Sequence, residues 1–111
     1  MLNLRVAKNG GILRTLEMAD RAEALGLRYC LGCHVGETGI LSAVGRVAAS
    51  LLQDPVIVEG SYGSFLLSDH IVRQQIGIGQ AGAAPVLRNN AIGYTVDTKK
   101  LSRYSIKETE S

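Results

Sequence analysis

A chain of 111 residues, 46% hydrophobic and 20% charged, has the apolar content to bury a core and the length of one domain or part of one. Its formal charge of +2 is spread along the chain, with Lys99-Lys100 the one adjacent basic pair, which excludes the basic stripe that a nucleic-acid partner requires. No apolar run reaches the roughly 18 residues of a membrane span, and Met1-Leu2-Asn3-Leu4-Arg5 does not read as an export signal, so a cytoplasmic site with reduced Cys30 and Cys33 is expected.

Leu2, Leu4 and Val6 alternate with Asn3, Arg5 and Ala7, which predicts a short opening strand. Asn9-Gly10-Gly11 is a turn signal. From Ile12 to Leu25 the apolar residues Ile12, Leu16, Ala19, Ala22 and Leu25 fall at helical spacing among charged residues, predicting an amphipathic helix. Gly26 is placed to end it in the left-handed conformation. Tyr29-Cys30-Leu31 is a second candidate strand. After Gly36-Glu37-Thr38-Gly39 a second helix is predicted, with Ile40, Leu41, Val44, Val47, Ala48, Leu51 and Leu52 on its apolar face and Thr38 as its cap. Asp54-Pro55 stops it, because proline disfavours a helical residue before it. Val56-Ile57-Val58 reads as a third strand, buried on both faces. Beyond Glu59 the pattern turns irregular, with an apolar patch at Phe65-Leu66-Leu67, a last strand over Ile92 to Val96 and a helical turn from Lys99 to Tyr104.

The order β-α-β-α-β, with element lengths suited to parallel strands, places the chain in the α/β class with an irregular C-terminal tail. Three such strands leave two open sheet edges, and Val56-Ile57-Val58 calls for neighbours that these elements do not provide.

Three short motifs invite chemistry. Cys30-Leu31-Gly32-Cys33-His34 matches the C-x-x-C-H signature of c-type haem attachment, which would make the chain an electron-transfer protein. The alternative is a strand end that tolerates two small thiols. Gly77-Ile78-Gly79-Gln80-Ala81-Gly82 matches G-x-G-x-x-G, but that motif binds dinucleotides only between a strand and a helix. Ile71-Val72-Arg73-Gln74-Gln75 is a poor strand and Pro85 interrupts any helix, so a glycine-rich loop is predicted. His34-Val35-Gly36-Glu37 sets an imidazole near a carboxylate, as a base with its partner, as two metal ligands or as a solvated turn.

Longer stretches carry a resemblance. They are Leu4-Arg5-Val6-Ala7-Lys8-Asn9-Gly10-Gly11, the helix end Ala24-Leu25-Gly26-Leu27, Leu31-Gly32-Cys33-His34-Val35-Gly36-Glu37-Thr38-Gly39-Ile40, and Val58-Glu59-Gly60. Together they resemble the last part of the barrel in the enolase superfamily, in its mandelate racemase and muconate-lactonising branch. The likeness runs from Leu2 to Tyr104. Ile92-Gly93-Tyr94-Thr95-Val96-Asp97 resembles the family's closing segment, with Asn89-Asn90-Ala91 in place of the usual glycine-proline lead-in.

The resemblance implies a partial (β/α) barrel. Residues 1–60 would be its last three strands and two helices, and residues 61–104 a tail packing back on the barrel or capping region. Residues 105–111 are expected to be disordered. In a barrel, catalytic groups stand at the C-terminal ends of strands, where Arg5, His34 and Glu59 fall. Arg5 stands where relatives keep a lysine at the end of the sixth strand. A guanidinium is no general base at neutral pH, but it can pair with a substrate carboxylate. Lys8, in the turn, reads as a loop cation. His34 takes the place of the seventh-strand histidine, without the accompanying sixth-strand aspartate, and Glu59 that of the eighth-strand acid.

The family abstracts the proton next to a carboxylate and holds the resulting enediolate on magnesium. The magnesium-binding carboxylates and the paired lysines come from earlier strands. The complete parent enzyme is thus expected to use magnesium and a small carboxylate as a racemase, dehydratase or cycloisomerase. This chain, which holds none of those metal ligands, is expected to be inactive without the remainder of the barrel or a second chain. A non-catalytic association module, recruiting a partner through its open sheet edges, is the remaining alternative.

Overall fold

The chain opens with a three-residue strand, β1 (Leu2–Leu4), in a computed structural model that describes residues 1–85 and 93–107. The strand alternation ends sooner than predicted. Val6 is instead the first residue of a one-turn helix, α1 (Val6–Asn9), with Arg5 at its N-cap. Gly10 and Gly11 then take φ angles of 85° and 111°, where a side chain would be strained, and so turn the chain into helix α2 (Ile12–Ala24). Thr15, Ala19 and Ala22 are the buried stripe of α2, with Ile12 packed beside it. Leu25 does not extend that stripe: it lies past the helix end and is 74% exposed. Gly26 reverses the chain at φ 67°, as its position predicts.

Strand β2 (Tyr29–Leu31) runs parallel to β1, with Leu2 opposite Tyr29 and Leu4 opposite Leu31. Helix α3 (Gly39–Leu51) follows, and segment 56–59 returns along the far side of β2. There Val56 N donates to Tyr29 O at 2.9 Å, Leu31 N to Ile57 O at 3.0 Å, and Glu59 N to Leu31 O at 2.8 Å. The Leu31–Val58 bridge is parallel. The architecture is therefore mixed α/β on a small parallel sheet, with β2 in the middle and all of its residues buried.

Segment 56–58 corrects an expectation. Val56, Ile57 and Val58 are 38%, 53% and 50% exposed rather than buried on both faces. Among the described residues no strand pairs with the segment's outer edge, so its apolar side chains are only partly covered.

Helix α3 departs from its predicted face in part. Ala48 is buried and Ile40, Val44 and Leu52 pack against the apolar clusters as predicted, but Gly39, Ser42, Ala43 and Arg46 are buried as well and Leu51 is exposed. The small residues permit close packing: a side chain at Gly39 would collide with Val72. Thr38 stands at the N-cap in extended conformation, yet its hydroxyl makes no capping bond. The helix ends at Leu51, ahead of Asp54-Pro55.

Two apolar clusters meet at α3. The first gathers Leu4, Val6, Ala19, Ala22, Tyr29, Leu31 and Ala48; the second gathers Ala43, Val72 and Ile76, with Ile40 and Tyr94 against it. The C-terminal part adds the short helix α4 (Gly63–Leu66), a 3-10 turn (Gln80–Gly82) and helix α5 (Thr98–Tyr104). Phe65 and Leu66 of the apolar patch fall on α4 and are exposed. Asp97 caps α5, accepting from the Lys99 and Lys100 amides at 3.1 and 3.2 Å. Of the last predicted strand, Val96 makes a single antiparallel bridge to Val72. Ile92 and the Asn89-Asn90-Ala91 lead-in lie outside the described residues, as do residues 108–111 of the expected disordered end. Residues 105–107 are exposed and outside regular structure. Among the described residues no helix is long and apolar enough to cross a membrane.

Candidate functional site

Parallel strands bring their C-terminal ends to one side of a sheet, and the loops leaving those ends can share a pocket. Arg5 directly follows β1, Cys33 and His34 lie just past β2, and Glu59 ends the third extended segment. All four line one cavity of about 390 Å3, within the ordinary range for small-molecule sites. The three residues singled out by sequence, Arg5, His34 and Glu59, are thus brought together. Lys8 is exposed and does not line the cavity.

The imidazole and carboxylate of His34-Val35-Gly36-Glu37 do not pair in the way their spacing suggests. The Glu37 carboxylate accepts from the His34 backbone amide at 3.2 Å and from the Ser42 hydroxyl at 3.3 Å. The ring is left free: His34 Nε2 is buried with no hydrogen-bond partner among the described residues. A buried ring nitrogen without a partner is costly, and His34 itself lines the cavity. Glu59, by contrast, is exposed.

The charges of the site register on the Cys33 thiol. Burial pushes its pKa up, the Glu37 and Glu59 carboxylates push the same way, and Arg5 opposes them. Cys33 is accordingly held as the neutral thiol, a poor nucleophile. Cys30 is buried, and its sulfur lies 3.5 Å from the Leu2 carbonyl oxygen. Thioether formation to a haem would require that thiol to leave the sheet, so the geometry does not favour the C-x-x-C-H reading.

Sequence reasoning misses Arg46. It lines the same cavity from α3, is 8% exposed, and has its pKa lowered by burial. Its Nη1 donates to Pro85 O at 3.1 Å and its Nη2 to Ser61 Oγ at 3.2 Å and to Gly77 O, while Nε is buried without a partner among the described residues. Ser61 itself is buried and left-handed at φ 62°, a conformation that costs a non-glycine residue on the order of 1 kcal/mol. A signal for Arg46 is present in the sequence: between Gly39 and Leu51 it is the one charged residue. The G-x-G-x-x-G stretch forms the loop predicted for it, with Gly79 N bonded to Ala83 O at 2.7 Å around the 3-10 turn.

No protein-family model matches this chain, and no curated protein matches it.

Proposed function

We propose that this chain supplies the sixth, seventh and eighth strand ends of an enolase-superfamily active site that acts on a small carboxylate. The observation that carries the reading is the shared cavity of Arg5, His34 and Glu59 at the ends of parallel strands. In this reading Arg5 pairs with the substrate carboxylate through charge-assisted hydrogen bonds. His34, which lines the cavity, takes or returns the proton at the neighbouring carbon. Glu59 donates a hydrogen bond to the carboxylate when protonated. Free Cys30 and Cys33 fit a reducing compartment such as the cytoplasm.

The resemblance also implies magnesium, and the residues at hand do not fit it. Among the described residues no group of three His, Cys, Asp or Glu side chains stands together, and Glu37 is already bonded to His34 and Ser42. Magnesium favours several oxygen ligands in near-octahedral array, so its ligands belong to the remainder of the proposed barrel. The partly exposed strand over Val56, Ile57 and Val58 supports that completion, since a further strand would cover it.

Lactate tests the carboxylate site by NMR titration of the two histidine rings. The His34 signals should move saturably while those of His70 stay in place. Arg5→Gln should weaken the interaction roughly tenfold or more, as loss of a charged hydrogen bond does. No saturable response at His34, or equal affinity in Arg5→Gln, would contradict the reading.

A further inference from the structure

Helix α3 borders the cavity with a line of residues one turn apart: Leu41, Gly45 and Ala49. Among the described residues a side chain added at Gly45 would meet no atom within 4 Å, so the glycine leaves room. Segment 77–85 borders the same space with Ile78, Gly82 and Ala84. Its internal bonds fold it into a turn, and Arg46 ties it to the rest of the molecule. One guanidinium holds both stems, the Gly77 and Pro85 carbonyls, and also the Ser61 hydroxyl two residues past Glu59. Among the described residues Arg46 has no carboxylate partner, so these neutral oxygens are what compensate its buried charge. A cation buried in that way is an expensive fastening for a loop that does nothing.

We propose that segment 77–85, strapped down by Arg46, is an apolar selectivity wall, and that the ligand is a small carboxylate bearing an apolar substituent. The inference rests on the reading of Arg5, His34 and Glu59 as the carboxylate end of the cavity. The substituent lies in the space left by Gly45 and displaces water from Leu41, Ala49, Ile78 and Ala84. Arg46 is a positioning residue here: it acts through the segment it holds.

The test is a titration series of lactate, 2-hydroxybutyrate and 2-hydroxyhexanoate at constant ionic strength, read at the His34 ring. Each added methylene should tighten binding roughly three- to fourfold until the space is filled. Gly45→Leu places a helix-favouring side chain in that space. In it, 2-hydroxyhexanoate should no longer outbind lactate. Arg46→Gln should lose the same advantage and open residues 77–85 to proteolysis, while the β2 amides keep their protection against hydrogen exchange. Should Arg46→Gln fail to fold, Gly45→Leu decides alone. Equal binding of the three acids to the unaltered chain, or an advantage that survives Gly45→Leu, overturns the apolar wall and leaves the carboxylate site standing. If none of the acids moves His34, the carboxylate reading falls and this inference with it.

Discussion

The Asp69 carboxylate collects three donors: Lys100 Nζ at 2.7 Å, the His70 amide at 2.8 Å and the Tyr104 hydroxyl at 3.0 Å. Lys100 first, then the amide and the phenol, lower its pKa from 3.8 to about 2. A carboxyl more acidic in the folded chain than in the unfolded one stabilises the fold while it is ionised. That contribution is present above the unfolded value of 3.8 and is lost as pH falls toward 2. Two of the donors sit on α5, so α5 should detach over that acid window, seen as loss of dispersion in the Tyr104 ring signals. Asp69→Asn should remove this pH dependence.

At the same scale, Arg5, His34 and Glu59 are singled out by the resemblance, and each stands at or just past the end of a run that can form a strand. Arg46 cannot be read that way, because periodicity assigns its helix a face of large apolar residues. The structure buries the face of Gly39, Ser42, Ala43 and Arg46, where small size permits contact with the C-terminal segments. The identity of those segments as neighbours is tertiary information that helical spacing does not hold.

Among the elements, β2 is the one on which the others depend. Leu31, at its end, is 1% exposed. On one side its amide donates to Ile57 O and its carbonyl accepts from Glu59 N; on the other, Gly32 N reaches Leu4 O. Leu31→Ala should cost about 2–5 kcal/mol, the usual range for truncating a buried leucine. Urea unfolding should report it as a lower midpoint with an unchanged slope. The strands and both long helices are legible because short apolar runs alternate with helical spacing and glycine turns. Helix α1 is not: its four residues are too few to show a period, and the strand pattern of Leu2 and Leu4 runs on into Val6. The burial of segment 56–58 is overestimated for a related reason. An unbroken apolar run tells what the strand would bury, not whether a neighbour is present to bury it.

For the molecule as a whole, the outer edge of segment 56–58 is the feature that stands open among the described residues. Half-exposed Val, Ile and Val on a segment with one unpaired edge favour pairing with another chain. Sedimentation should therefore show self-association that rises with concentration, and Ile57→Lys should reduce it by placing a charge on that edge. A monomer at all concentrations would mean that the edge is covered in some other way.

The proposed function puts a carboxylate ligand between Arg5, His34 and Glu59. The measurement that meets it most directly is an isotope-filtered NOE experiment on the chain with bound 2-hydroxyhexanoate. Contacts are expected from the ligand's α-proton to the His34 ring and to the side chains of Arg5 and Glu59. Contacts to His70 instead, or to none of these residues while the ligand is bound, would contradict it.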